Sequence, residues 1–570
     1  MSSIDRIVLI GSLVFIVVYG VWKTRGNKDL DGYLKGNNDA KWWGIGISIM
    51  ATQASAITFL STPGKAYEDG MRFLQFYLGL PLALIVLSVT FIPIFYKLKV
   101  FTAYEFLESR FDLKTRSLAA GLFLVQRGLA AGITIYAPAI ILSSLLHWDL
   151  NLTNIFIGCL VIVYTVSGGT KAVTQTQKLQ MAVMMGGMIT AGVMVLTMLP
   201  ENVGLTEAVG VAGDMGKMNI INYEFDINDR YNIWTGMIAA FFLFMSYFGT
   251  DQSQVQRYLT GKSLTQSRLG LMMNGLLKIP MQFMILMIGI LVFVFYQFNE
   301  SPLFFNKNGV EVVMNSDKAE SYQAYEDSLH VVFEEKKTLV QQMVLLDGES
   351  AERKQVKSEI MALKTEEDTI RARTKRLILS VDEGVEDNDT DYVFMTFVMD
   401  YLPVGLVGLL FSVMFCAAMS STASELNALS ATTTIDLYKR SVNKYGSEEH
   451  YLKSSRLFTL MWGVFAIIFA VSASLFENLI EAVNVLGSLF YGTILGIFAT
   501  AFYLKKVMGR AVFWAAILSE CFVLLLFYLN ENSVGPEWLR MGYLWFNVVG
   551  CLLVVLIGVL LQKLLPDNSK

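Results

Sequence analysis

Residues 50–64 read MATQASAITFLSTPG. Thr52, Gln53, Ser55 and Thr58 stand there in mid-tract, among small alanines, inside an apolar run that begins at Trp42. Hydroxyls, an amide and uncovered backbone carbonyls are the oxygen donors that suit a hard cation. Two further segments carry the same chemistry. FLFMSYFGTDQSQVQR (242–257) gives way from apolar residues to Gly249, Thr250 and Asp251, and FCAAMSSTASELNALSATTTIDLY (415–438) holds the adjacent hydroxyls Ser420 and Ser421. A lone Ser or Thr in an apolar helix commonly serves helix packing. Clusters of them point instead to a bundle interior or a cavity. Secondary transporters bind their cargo near mid-depth, where helices in corresponding halves are broken and carbonyl oxygens are freed for an ion. The residues alone therefore point to an ion-coupled transporter, and a channel would use similar chemistry.

Other chemistries are excluded at this level. No nucleotide motif, catalytic triad or metal cluster is present, so no residue is assigned a catalytic role. Cys159, Cys416, Cys521 and Cys551 all lie in apolar tracts, without a CxxC pattern or a disulfide framework. His147, His330 and His450 are isolated in the sequence. The net charge of −4 gives no reason to expect nucleic acid as a partner.

The elements that position these clusters are membrane helices. The chain is 54% hydrophobic and 16% charged, where a soluble domain carries about 25% charge. It is read as an all-α integral membrane protein whose partners are a lipid bilayer and a small-molecule substrate. Apolar tracts of bilayer-spanning length fall near 4–22, 42–62, 74–97, 118–145, 149–166, 178–199, 233–254, 270–298, 404–436, 456–475, 479–503, 511–529 and 541–563, about thirteen in all. The first lacks a basic leader and a cleavage site, and is expected to be a retained helix. Lys and Arg gather in one set of loops, among them Lys23, Lys35, Lys97, Arg116, Lys439 and Lys505. That bias places the N-terminus outside and the C-terminus in the cytoplasm. Residues 301–391 are polar and fall in an outside loop. Leu329, Phe333, Val340 and Met343, and then Val356, Ile360, Leu363, Ile370 and Leu377, recur at helical spacing around LDGES (346–350). This is a helical hairpin, expected to pack on itself, with docking of an external partner or a lid over the entry path as the alternatives.

The ordered motifs STPGKAYEDG (61–70), IPIFYKLKVFTAYEFLESRF (92–111), VYTVSGGTKAV (163–173), MSYFGTDQSQVQRYLTGKS (245–263) and AAMSSTASELNALSATTTIDLY (417–438) resemble the sodium/solute symporter family. The chain looks closest to that family's iodide, monocarboxylate and multivitamin branch. The resemblance runs from about residue 30 to about 505, without 301–391. It implies a leucine-transporter-like core of ten helices in two inverted repeats, 42–199 and 233–503, the second interrupted by the insertion at 301–391. Residues 1–41 then hold the first helix and a cytoplasmic loop, 200–232 an external loop, and 504–570 two last helices with a short tail. The family's sodium site maps onto carbonyls of Ala51, Ala54 and Ala417 and the hydroxyls of Ser420 and Ser421. Sodium is thus implied as the coupling ion. Thr52, Gln53, Thr58, Ser246 and Tyr247, beside the two helix breaks, are the implied substrate residues.

Departures from the family pattern matter. In TQTQKLQ (174–180), Gln175 and Gln177 stand where the family has Trp and Asp. Glu425 could compensate for that acid, although a place in a wet cytoplasmic vestibule is favoured for it. Thr58 and Phe244 stand where sugar-carrying relatives have Gln and Asn. Lys278 lies in the seventh core helix, where an unpaired ammonium is costly. It is expected to meet a substrate carboxylate, to pair with Asp251 or Glu425, or to snorkel to the cytoplasmic face. The resulting expectation is a sodium-coupled symporter of a bacterial inner membrane that imports a small solute, an organic anion first, a sugar or polyol second. The alternative from another class is a transporter-like membrane sensor. The chain ends soon after its last helix at LLPDNSK, so sensing is expected to need a separate partner.

Overall fold

The computed structural model describes residues 2–564 other than 25–29, 37–38, 147, 347–349, 383–384, 386–388, 473–478, 533 and 535. His147, the centre of the LDGES turn and nearly all of LLPDNSK lie outside the described residues. Among the described residues the chain consists of helices and their connections, with an isolated bridge between Ala40 and Gly261.

Helix α1 spans Ser3–Thr24. The tract around residue 50 is two helices, α2 (Trp42–Gln53) and α3 (Ala56–Asp69). Helices α4 (Leu80–Val89) and α5 (Phe91–Leu98) follow, then α6 (Leu113–Leu146) and α7 (Leu150–Thr197). A second interrupted helix comprises α8 (Ala240–Gly249) and α9 (Gln252–Leu259), after which α10 covers Leu264–Phe298. The hairpin is α11 (Ala319–Leu345) and α12 (Ala351–Val381). Helices α13 (Leu406–Thr432), α14 (Glu448–Val471), α15 (Leu479–Tyr503), α16 (Gly509–Glu531) and α17 (Trp545–Leu564) complete the chain. With α7 bent into two crossings, and α2/α3, α4/α5 and α8/α9 each one crossing, these elements match the thirteen apolar tracts one for one. Nine described stretches are long and apolar enough to cross a membrane on length and composition alone.

The first break has a local cause. Ala54 leaves the helix at φ −84°, ψ 82°, and Ser55 is extended at φ −80°, ψ 174°. The Ser55 N–H turns back to the Gln53 carbonyl at 3.2 Å, and the Thr58 N–H reaches only to Ser55, at 3.0 Å. The helical partner of the Ala51 carbonyl is thereby diverted, and the carbonyl is left for another donor. At the second break Asp251 caps α9, accepting from the Ser253 N–H at 2.8 Å and from its hydroxyl at 2.6 Å.

Helix α7 differs from the sequence expectation. The polar stretch between the tracts 149–166 and 178–199 is helical on either side of Gly169, where the chain turns out of the helix at φ +59°, ψ −164°. A β-carbon there would run into the backbone and ring of Tyr33, so both conformation and space require glycine. The turn brings Gln177 back toward α2 and α13. Helix α13 passes through the centre of the bundle, with every residue from Leu410 to Thr432 buried. Its run of Ala and Ser lets neighbouring helices approach closely.

The hairpin has a small core of its own, including Leu329, Val332, Ile370 and Ile378. Val340, Met343, Val356 and Ile360 instead join the main core of the bundle. The two apolar stripes thus serve both self-packing and docking. Arg353 fastens the tip to the short helix Leu205–Asp214, with its guanidinium 2.7 Å from Asp214.

Candidate ion and solute site

The break at Ala54 faces α13. The Ser420 hydroxyl donates to the Ala51 carbonyl at 3.0 Å, the acceptor that the break released. One residue on, the Ser421 hydroxyl donates within its own helix to Ala417 at 3.0 Å and Ala418 at 3.2 Å. Ala51, Ala54, Ala417, Ser420 and Ser421 are all buried. The structure therefore joins Ala51 to Ser420 across two helices, and places the Ser421–Ala417 pair beside them. Three carbonyls and two hydroxyls without formal charge are a donor set of the kind a single monovalent hard cation accepts.

A second layer surrounds this set. Gln177 receives the Ser48 hydroxyl at 2.5 Å on its amide oxygen. Its amide nitrogen donates to Thr52 and Ser424, both at 3.0 Å, and reaches the Ser420 carbonyl at 3.5 Å. Thr52 and Ser424 are themselves 3.1 Å apart. The position where the family carries an acid thus holds a buried, neutral network that ties α2 and α7 to α13.

Next to the break lies a cavity of about 100 Å³, room for several waters or part of a small solute. Thr52, Gln53, Ser55 and Thr58 form one wall, and Phe76, Tyr77 and Phe244 an aromatic one. Ser55 stands at the N-cap of α3, yet its side chain makes no capping bond. Gln53 Oε1 has no hydrogen-bond partner among the described residues. Ser421 lines the cavity too, and so borders both the ion donors and the solute space. Tyr247, from α8, receives Gln254 Nε2 on its hydroxyl at 2.6 Å.

The sequence reading missed Arg127. It lies in α6, lines the cavity and is buried. Its guanidinium is 3.1 Å from Glu425 and also pairs with Asp251. It donates to the Tyr491 hydroxyl at 2.5 Å, and that hydroxyl donates to Asp251 at 2.7 Å. The guanidinium carbon sits 5.5 Å from the centre of the Tyr247 ring, within reach of a cation–π contact. One cation is therefore held between two carboxylates, Asp251 at the α8/α9 break and Glu425 within α13. The signal was present in QRGLAAG: a single arginine inside an apolar span marks a functional position by default.

Three expectations need correction. Glu425 is not in a wet vestibule; it is buried, lines the cavity and pairs with Arg127. Lys278 does not pair with Asp251 or Glu425, because Arg127 holds both. Nor does it snorkel: it is wholly buried, with Nζ 5.5 Å from the centre of the Tyr77 ring and without a hydrogen-bond partner among the described residues. It stands behind the aromatic wall, outside the cavity lining. Ser246 is also set apart from the lining. Its hydroxyl donates to the Tyr491 carbonyl at 2.8 Å and lies 3.0 Å from the Thr250 hydroxyl, fastening α8 to α15.

Comparison with known proteins adds four findings. The family model for the sodium:solute symporter family matches residues 33–325 and 381–519, leaving out most of the hairpin. Over 574 residues the chain is 24% identical to a sodium/sialic acid symporter of Proteus mirabilis, covering 98% of this chain and 95% of that protein. A 273-residue stretch is 32% identical to the human sodium-coupled monocarboxylate transporter 1, covering 47% of this chain and 44% of that one. Among solved structures, the substrate-bound outward-open state of a Na+-coupled sialic acid symporter is alike in fold. The TM-score is 0.74 at 22% identity, covering 100% of this chain and 99% of the other.

Proposed function

The chain belongs to the sodium:solute symporter family, with sodium as its coupling ion, and we propose that it imports a small organic anion by alternating access. The observation that carries this reading is Arg127, the one cation among the described residues lining the central cavity. Sodium is held by the carbonyls of Ala51, Ala54 and Ala417 and the hydroxyls of Ser420 and Ser421, which bridges α2 to α13 and steadies the break. The solute sits against Thr52, Gln53, Thr58 and Tyr247, with its carboxylate on the guanidinium edge that Glu425 holds here. Ser246 and Lys278 act from behind that surface, on Tyr491 and Tyr77. The repeats at 42–199 and 233–503 then rock about the loaded site. The relatives named above are transporters of an organic acid or a monocarboxylate by their names, which agrees with this charge preference. We also propose that the N-terminus lies outside and the C-terminus in the cytoplasm of a bacterial inner membrane, a reading supported by the bias of Lys and Arg toward one set of loops.

One observation favours a neutral polyhydroxylated solute as a second reading. Glu425 lines the cavity beside Arg127, so the cavity also offers a carboxylate acceptor for hydroxyl groups. Proteoliposomes supplied with labelled organic acids, sugars and polyols separate the two. An inward sodium gradient is expected to accumulate an organic acid at least tenfold over gradient-free vesicles, with Arg127→Met abolishing saturable uptake. Accumulation of sugars or polyols alone would sink the anion reading, and accumulation indifferent to sodium would sink symport itself.

A further inference from the structure

The hairpin encloses a second cavity, of about 370 Å³, where α11 and α12 meet the ends of α3 and α10. It shares no lining residue with the central cavity. Five cations line it, Lys217, Lys336, Lys364, Arg371 and Lys375, against the carboxylates of Glu68, Glu367, Asp368 and Asp389. Most are matched. Lys336 and Arg371 both hold Glu367, at 2.5 Å and 3.0 Å, and Lys375 lies 3.2 Å from Asp389. Lys364 has only a long contact with Asp368, at 4.0 Å. Lys217 has no carboxylate within ion-pair distance among the described residues. Its ammonium donates to the Glu68 backbone carbonyl and lies 4.8 Å from the centre of the Phe293 ring. Burial, and the like charge of Lys364, push the Lys217 amine down to about 8.

A buried ammonium beside a second, poorly matched ammonium attracts a negative charge into the space between them. One more group narrows the chemistry. Gln297 is buried in the same wall; its Nε2 donates to the Phe293 carbonyl at 2.9 Å, and its Oε1 has no partner among the described residues. An unpaired buried acceptor calls for a donor. Chloride and sulfate offer none, whereas a hydroxylated acid offers both a charge and donors.

We propose that this cavity binds a small hydroxylated carboxylate, with its carboxylate between Lys217 and Lys364 and a hydroxyl on Gln297 Oε1. Four of the five cations come from residues 326–380, which the family model leaves out. The site is therefore a property of this chain's insertion, and it stands whatever solute the central cavity carries.

The test uses the full chain, purified in detergent and treated with formaldehyde and cyanoborohydride at pH 7.5, with dimethylation of each lysine followed by mass spectrometry. Gluconate is the probe, acetate the plain carboxylate and sorbitol the neutral control. Gluconate is expected to slow modification of Lys217 at least fivefold and to leave the exposed Lys453 unaffected; sorbitol should protect neither. Lys364 is partly exposed, so Lys364→Met is expected to melt like the parent while losing most of the protection. An unchanged Lys217 rate, equal slowing of Lys453, or full protection in Lys364→Met overturns the proposal. Equal protection by acetate overturns the part assigned to Gln297.

Discussion

At the scale of single residues, the contrast is between one charge position made neutral and another made ionic. Gln177 satisfies Ser48, Thr52 and Ser424 at once, next to the Ser420 carbonyl. Its neutrality sets how strongly a cation is drawn to the neighbouring oxygens. Gln177→Glu places a carboxylate there, and is expected to lower the sodium concentration for half-maximal uptake by about threefold or more. Ser420→Ala removes one oxygen of the donor set, and is expected to raise it roughly tenfold to a hundredfold. Sodium-dependence curves in proteoliposomes check both; curves that move together, or not at all, contradict the placement. The clusters around Ser420 and residue 52 were legible in the sequence because hydroxyls in mid-tract are conspicuous against Leu and Phe. Arg127 was passed over because its meaning is tertiary. Its partners Asp251, Glu425 and Tyr491 lie 124, 298 and 364 residues away. The same holds for Ser246, whose hydroxyl is spent on a carbonyl 245 residues along the chain.

At the scale of elements, the two halves of the first broken helix are attached to different neighbours. The first half, α2, is tied by Gln177, Ser424 and Ser420 to α7 and α13. The second half, α3, lies against α10 and the hairpin base, where the Thr390 hydroxyl donates to Glu68 at 2.8 Å. Gly289 of α10 is packed so closely on Pro63 that a β-carbon would meet its backbone carbonyl. Gly289→Ala must therefore push α3 away from α10, a strain of about 1–3 kcal/mol. The expected result is a melting temperature several degrees lower and a fall in maximal uptake. An unchanged melt and unchanged uptake would show that the two helices are not in contact during transport. The periodicity of apolar tracts sufficed to find these helices, since each crossing needs its own run of apolar residues. It did not show that α7 continues through VSGGTKAVTQTQ. Polar residues usually signal a loop, and here a single glycine at positive φ makes the turn between two helical segments, with Thr170, Thr174, Thr176 and Gln177 buried.

At the scale of the whole molecule, charges that lie outside the bilayer hold the two arms of the hairpin together: Glu367 of α12 takes Lys336 of α11 and Arg371 of its own helix. Burial alone would raise the Glu367 carboxyl, but Arg371 and Lys336 bring it down to about 2. A carboxyl lowered by folding stabilises the paired arms fully above its ordinary value near 4.5, and the contribution is lost as pH falls toward 2. Hydrogen exchange of α11 and α12 is thus expected to be flat from pH 8 to 5, once corrected for intrinsic rates, and to rise only below about 4.5. Glu367→Gln leaves Lys336 and Arg371 without their counter-charge, and should speed exchange roughly tenfold or more at neutral pH. Exchange that already rises between pH 8 and 6 would assign the pairing of the arms to other groups. The heptad-like stripes of the hairpin were readable from spacing, but the division of those stripes between self-packing and docking was not, because it depends on which side the bundle offers. The hairpin has a practical consequence. Helix α12, at 31 residues, is about 45 Å long, and with α11 it covers one end of a bundle whose inverted repeats otherwise make top and bottom hard to tell apart in noisy projections. It therefore supplies an asymmetric landmark for aligning single-particle images of the chain in a lipid nanodisc, without an added antibody fragment.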